Sequence, residues 1–296
     1  MKRKDGFAPI GAYAAIGDGR TVALVAADGS IDFLSLPDMH SPTTFAALLD
    51  PEKGGRFVLA PTAKFDVARR YVDRTNVLET TYTTKDGTVR VTEALTLQDG
   101  GLMPWIEIAR RVEGLSGEVE LEWRVEPRFD WGRVQPKIER RRQSIVATGE
   151  NLALGIHTWN AGDQRVDDGC VYGSFVVRDG ERALLALCAT HDQPIPMPER
   201  HEVEHRLDQT LEVWQRWLAE WAYDGPWSEH VGGVRVQRVA VLHVQRRRLE
   251  EVATRPELQL GAGGVAVPHR PGVAIAAQRQ LLAALRLVAV HGVEGP

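Results

Sequence analysis

Only two cysteines, Cys170 and Cys188, occur in the 296 residues. That is too few for a disulfide framework, and both sit in apolar, strand-like stretches where a free thiol behaves as a small hydrophobe. Buried thiols and a cytoplasmic location are therefore expected. No apolar run approaches the ~20 residues that a membrane-crossing helix needs, because the longest, Leu281 to Val290, is interrupted by Arg286. A secretory leader is not expected either: Pro9, Tyr13 and Asp18 follow the basic start Lys2-Arg3-Lys4 before any sustained apolar stretch. With a formal net charge of −4, the chain has no basic excess to draw it to phosphate backbones or anionic lipid. Neither nucleic acid nor membrane is an expected partner.

Chemical motifs are sparse as well. Gly261-Ala262-Gly263-Gly264 lacks the lysine of a phosphate loop, and there is no nucleophile elbow and no cysteine-pair metal motif. His201 and His205 have the i, i+4 spacing of two metal ligands, but their setting of Glu202, Glu204 and Arg206 reads as a solvated helix face. Arg246-Arg247-Arg248 is offset by Glu250 and Glu251. No metal and no cofactor are expected.

What is present is ordinary core material, 43% hydrophobic and 26% charged, in a length that suits two average domains or one large all-β domain with an appendage. Three Asp-Gly pairs, Asp28-Gly29, Asp86-Gly87 and Asp179-Gly180, each separate two strand-like runs. They read as hairpin turns, since glycine adopts positive φ freely and aspartate tolerates it. Under a two-residue turn at Asp179-Gly180, Val171 would face Cys188; a three-residue loop would instead bring Cys170 opposite Cys188. The segment from Glu118 to Glu126 alternates without a fault and places Val119, Leu121, Trp123 and Val125 on one face. Short strands with turn signals between them predict an antiparallel sandwich.

Beyond residue 200 the period lengthens. Leu207, Leu211, Trp214, Leu218 and Trp221 line one helix face with Trp217 beside them, and Asp224-Gly225-Pro226 ends it. A packing face is the favoured reading over a sugar-stacking platform. From Ser228 to Pro296 there is no Phe, Tyr, Trp, Lys, Asp, Asn, Cys or Met, whereas Val and Arg are frequent. This predicts a short helical tail, poorly packed, of the composition that GC-rich codons give in a wrong frame.

A set of ordered segments carries a resemblance. Ile16-Gly17-Asp18-Gly19-Arg20-Thr21, Asp28-Gly29-Ser30-Ile31-Asp32-Phe33-Leu34-Ser35-Leu36-Pro37, Ser41-Pro42, Phe45 to Asp50, Gly54 to Phe57, Arg70-Tyr71, Thr75 to Thr80, Arg110 to Gly117, Pro127 to Gly132 and Gly225-Pro226-Trp227 together resemble the opening of glycoside hydrolase family 15. That family includes bacterial glucoamylases, glucodextranases and trehalases. The resemblance implies a super-β-sandwich, a linker helix and an (α/α)6 barrel whose two carboxylic acids hydrolyse α-glucosidic bonds with inversion. Relatives carry Trp and Cys where this chain has Phe33 and Ser35, Arg-Phe-Asp where it has Asp38-Met39-His40, and often Cys at Gly19.

The resemblance ends near Val231, and twelve barrel helices with their connections need about 190 residues, more than the stretch 232–296 supplies. The expected organisation is thus a trehalase-like super-β-sandwich over 1–200, a linker helix over 201–231 and a divergent or out-of-frame tail over 232–296, without the barrel. The expected function is that of the sandwich part of an α-glucoside hydrolase, unable to hydrolyse alone; a stand-alone saccharide- or partner-binding module is the alternative. No catalytic residue is expected. Asp18, Asp32 and Asp38 are close in sequence but read as turn and strand-edge residues. Asp32, Phe33, Asp38 and His40 form a candidate loop facing a barrel or sugar, and Trp214, Trp217 and Trp221 a barrel-docking helix face. Expected partners are a missing or separately encoded barrel, or a second copy of the chain.

Overall fold

The computed structural model describes residues 1–98, 103–141 and 144–219. Fifteen antiparallel strands build two layers. In chain order they are β1 (Tyr13–Gly17), β2 (Val22–Ala26), β3 (Ser30–Ser35), β4 (Thr43–Phe45), β5 (Arg56–Pro61), β6 (Asp66–Tyr71), β7 (Leu78–Thr83), β8 (Gly87–Leu95), β9 (Ile106–Glu126), β10 (Lys137–Arg141), β11 (Ser144–Thr148), β12 (Leu152–Trp159), β13 (Arg165–Asp167), β14 (Cys170–Arg178) and β15 (Arg182–His191). The mainly β, antiparallel sandwich expected from the turn spacing is what forms.

The 21-residue strand β9 belongs to both layers. Its first half lies between β8 and β15, and its second half between β5 and β14. The alternation of residues 118–126 appears as read: Val119, Leu121, Trp123 and Val125 are buried, while Glu118, Glu120, Glu122 and Arg124 are exposed. The inward faces of both layers merge into one core, where Ile16, Ile31, Phe57 and Trp123 of one layer join Leu78, Val91, Ile108 and Leu185 of the other. Each such side chain contributes about 1.5–3 kcal/mol of transfer free energy.

The change of layer needs glycine. An added Cβ at Gly114 would overlap the Arg178 carbonyl, and Gly117 has φ +65° beside the Asp86 carbonyl. Asp179 N donates to Gly117 O at 3.0 Å and Gly180 N to Gly114 O at 3.1 Å, so the corner of β9 is stitched to residues 179–180.

That stitching corrects one turn. Asp179-Gly180 does not join two paired strands: β14 pairs with β9 from Val171↔Val125 to Arg178↔Glu118, and β15 continues in the same direction from Arg182↔Glu113 to Ala189↔Ile106. Gly180 has φ +77°, so the residue preference was read correctly, but the left-handed residue bends one long ribbon instead of reversing it. Neither proposed pairing of the cysteines applies. Cys170 lies in one layer and Cys188 in the other, both buried and both free. The other two pairs do join hairpins. Gly29 has φ +83°, and the Asp86-Gly87 connection closes between Thr83 and Thr88 without positive φ.

The helix Arg200–Ala219 lies on the outer side of the layer containing β8, β9 and β15. Val203, Leu207, Trp214 and Leu218 rest on Ala94, Ala109, Leu184 and Ala186, and the small alanines let the helix approach closely. The stripe assigned to a docked partner is therefore largely covered by the sandwich itself. Polar contacts fix its register: Arg206 holds Glu107 through two bonds of 2.9 and 2.7 Å, and Leu97 N donates to Thr210 Oγ1 at 2.8 Å. Thr210→Val should strand that buried N–H and lower stability by about 1–3 kcal/mol. Urea unfolding would show it as a shifted midpoint at unchanged slope. Trp221, the remainder of 201–231 and the whole of 232–296 lie outside the described residues.

Candidate functional site

Some of the segments that carry the family resemblance, those around residues 18–21, 32–42 and 127–132, are scattered in sequence and lie together in space. The connection between β3 and β4 begins at buried Leu36, runs through half-buried Pro37, Asp38 and Met39, and reaches exposed His40. Thr21 Oγ1 donates to Ser35 O at 2.6 Å, Met39 N to Arg20 O at 3.0 Å, and Asp38 N to Ser41 Oγ at 3.2 Å. Arg20 is anchored in turn. Its guanidinium reaches Asp18 at 2.8 Å, Met103 O at 2.7 Å and Trp105 O at 3.0 Å.

Against this loop folds the segment after β9. Asp130, Trp131 and Gly132 have φ of +47°, +60° and +82°, three left-handed residues in succession. Two of them are not glycine, and such strain persists only where the surroundings fix it. The surroundings do so here: Arg128 N donates to Thr44 O at 2.9 Å and Phe129 N to Val134 O at 3.1 Å. Trp131, Met39 and Leu48 all pack against the buried cluster of Tyr13, Leu24 and Phe33 on the outer side of the β1–β3 sheet. A cavity of about 120 Å³ opens between the two segments, lined by Leu36, Pro42, Phe129, Asp130 and His191.

The sequence-nominated residues fall into separate roles. Asp32 is fully buried. Its carboxylate accepts from Arg3 Nη1 at 2.7 Å, from Tyr13 Oη at 2.7 Å and from Ser30 Oγ, with Arg56 Nε 3.9 Å away. Desolvation first, and then the Asp32 charge, push the Tyr13 hydroxyl up from its ordinary value, so it stays protonated as a donor. Phe33 is buried on the opposite side of that sheet from the interlayer core. Only Asp38 and His40 are presented at the rim, and Asp18 is buried against Arg20 and the N–H groups of residues 20 and 21. Trp214 is buried under the helix with Trp217 edge-on to it, ring centroids 6.1 Å apart. Asp130 and Trp131 were not singled out as site residues. Their signal is the run Arg128-Phe129-Asp130-Trp131-Gly132 within the resemblance, which gives no hint that Trp131 joins the same cluster as Met39.

Among the described residues no cluster of three or more His, Cys, Asp or Glu side chains is placed to hold a metal ion, and no helix is long and apolar enough to cross a membrane. His201 and His205 both lie exposed on the helix.

Fold and rim define an antiparallel β-sandwich module with one helix-covered flank and one ordered rim of converging loops. The chain belongs to the family described as trehalase-like, N-terminal, which matches residues 4–169. Among its curated relatives are the trehalase of Thermoplasma volcanium, 27% identical over 232 residues, covering 77% of this chain and 36% of that protein, and the trehalase of Thermoplasma acidophilum, 29% identical over 213 residues, 70% of this chain and 36% of the relative. The trehalase of Mycobacterium tuberculosis is 28% identical over 267 residues, covering 76% and 36%. The chain spans about a third of the length of the curated relatives it matches.

Proposed function

We propose that the sandwich is the non-catalytic N-terminal module of a glycoside hydrolase of the glucoamylase and trehalase type, family 15, and that it does not hydrolyse α-glucosides alone. The observation that carries this reading is the state of Asp32. Inverting hydrolysis needs one carboxylic acid to protonate the leaving oxygen and a carboxylate ~6.5–9.5 Å away to activate water, both open to a sugar. Asp32 is closed off from solvent and held by Arg3, Tyr13 and Ser30, and Asp18 is held by Arg20. These are the bonds of groups that set loops in place. The catalytic pair then belongs to a barrel, in the same or a separate chain, and the rim made by Asp38, His40 and Trp131 is the surface that meets it. Trehalose is the substrate suggested by the relatives. The two free, buried cysteines support a cytoplasmic setting.

A domain exchange tests the rim's part in this. Residues 1–219 replace the matching N-terminal third of the Thermoplasma acidophilum trehalase, and glucose release from trehalose is followed. The expected result is an active chimera, weakened at least several-fold by Trp131→Ala, against an inactive or insoluble deletion variant. A deletion variant as active as the intact relative would contradict the reading.

A further inference from the structure

A second cavity, which shares no lining residue with the one at the rim, lies on the outer side of the layer formed by β5, β9, β14 and β13. It is a groove of about 430 Å³, within the ~300–1,000 Å³ of small-molecule sites. The strand register lays out its floor. Val58, Arg124, Tyr172 and Arg165 stand side by side across four strands, so Tyr172 is flanked by an arginine on either neighbouring strand; the Arg124 guanidinium is 3.4 Å from Glu126. One step along the strands come Glu122 and Ser174, and in the other direction Asp167 beside buried Cys170. The turn at Asp168 and Gly169, with φ +40° and +71°, raises β13 as the wall.

Two features say what the groove suits. Two arginines are matched by two carboxylates, so the groove as a whole favours neither anion nor cation. Further, the Tyr172 hydroxyl, the Ser174 hydroxyl and the charged ends of Glu122, Arg165 and Asp167 make no hydrogen bond or ion pair with any other described residue. Arg124 of the groove is paired with Glu126, as Arg90 and Arg182 are with Glu113, whereas Arg165 has no such partner among the described residues. A half-buried aromatic ring in a groove lined by unengaged hydroxyls, carboxylates and a guanidinium is complementary to a neutral polyhydroxylated ring, which presents C–H groups to the aromatic face and hydroxyls to the polar lining. We infer that this groove is a saccharide-binding site, separate from the rim, that takes a neutral α-glucoside of two or more sugar units. The choice of α-glucosides among neutral polyols rests on the function proposed above.

Isothermal titration of the full chain with trehalose, maltose and maltoheptaose tests it. Saturable binding of at least one sugar is expected. Tyr172→Ala should weaken it about tenfold or more. The double change Arg165→Ala with Asp167→Asn, confined to the exposed strand β13, should weaken it comparably while leaving the melting temperature unchanged. Folded chain that binds none of the three sugars, or binding that neither variant alters, would overturn the site. Glucose assayed in the same samples reports on hydrolysis separately, so a failure of the groove and a failure of the non-catalytic reading are distinguishable.

Discussion

Arg110→Met is expected to destabilise the fold by about 3–5 kcal/mol, the cost of leaving a buried charge uncompensated. Arg110 and Glu93 are register partners on β9 and β8, both fully buried, with Nε and Oε2 2.7 Å apart. Their approach is too oblique for a straight hydrogen bond, so the attraction is chiefly that of two charges at short range. Burial raises the Glu93 carboxyl above the ordinary carboxylate range, and the Arg110 charge opposes that rise only in part. Arg110 also stacks on Phe57 at 4.8 Å and donates to Gly29 O at 3.0 Å, tying one layer to the hairpin turn of the other. The double variant Arg110→Met with Glu93→Leu should recover most of the loss, because a buried ion pair is replaceable by apolar groups of similar volume. Urea unfolding of wild type, both single variants and the double variant measures this. A single-variant loss under about 1 kcal/mol would mean that the pair is solvated after all.

The second large effect is a pH dependence set by His157. Its ring is buried on β12, with Nδ1 2.7 Å from Ser144 Oγ and Nε2 without a partner among the described residues. Burial, and then the Arg206 charge, lower its pKa from 6.5 to about 4. The unfolded chain therefore binds a proton between these values that the folded chain refuses. The stability this group contributes is complete above pH 6.5 and is lost progressively as pH falls toward about 4, by roughly 3 kcal/mol in all. Glu113 is held below the usual carboxylate range by bonds from Arg90 and Arg182, so its loss falls lower on the pH scale. The Glu93 carboxyl, raised by burial, acts in the opposite direction, so the histidine's part is the difference between wild type and His157→Asn in urea midpoints at pH 7 and pH 5. The midpoint should fall from pH 7 to pH 5 by more in wild type than in His157→Asn, and an equal change in both proteins would contradict the assignment.

How far the sequence reveals such features depends on their range. The unbroken alternation from Glu118 to Glu126 shows a half-buried strand because its cause is local, the pleat itself. Asp179-Gly180 shows that a left-handed residue is needed but not whether the chain reverses there, since a bulge and a hairpin ask the same of glycine. The stripe from Leu207 to Leu218 says that one helix face is covered. It does not say by what, and the alanines of β8, β9 and β15 that cover it lie far away in sequence.

The same limit applies to the site. Phe33, Met39, Leu48 and Trp131 meet only through the fold, and Asp32 looks like one more aspartate near a turn until Arg3 and Tyr13 close on it. Glu93 and Arg110 each sit in a strand of ordinary alternation, and only the register brings them together in the core.

Glucose release by the purified full chain is the most direct test of the claim that this sandwich builds a hydrolase without being one. Glycosidase turnover ordinarily lies within about 1–10³ per second. At micromolar protein and millimolar trehalose, maltose or starch over several hours, even a rate thousands of times slower would be detected. No glucose above that of a heat-treated control is expected. Glucose that appears in proportion to the chain through successive purification steps would contradict it.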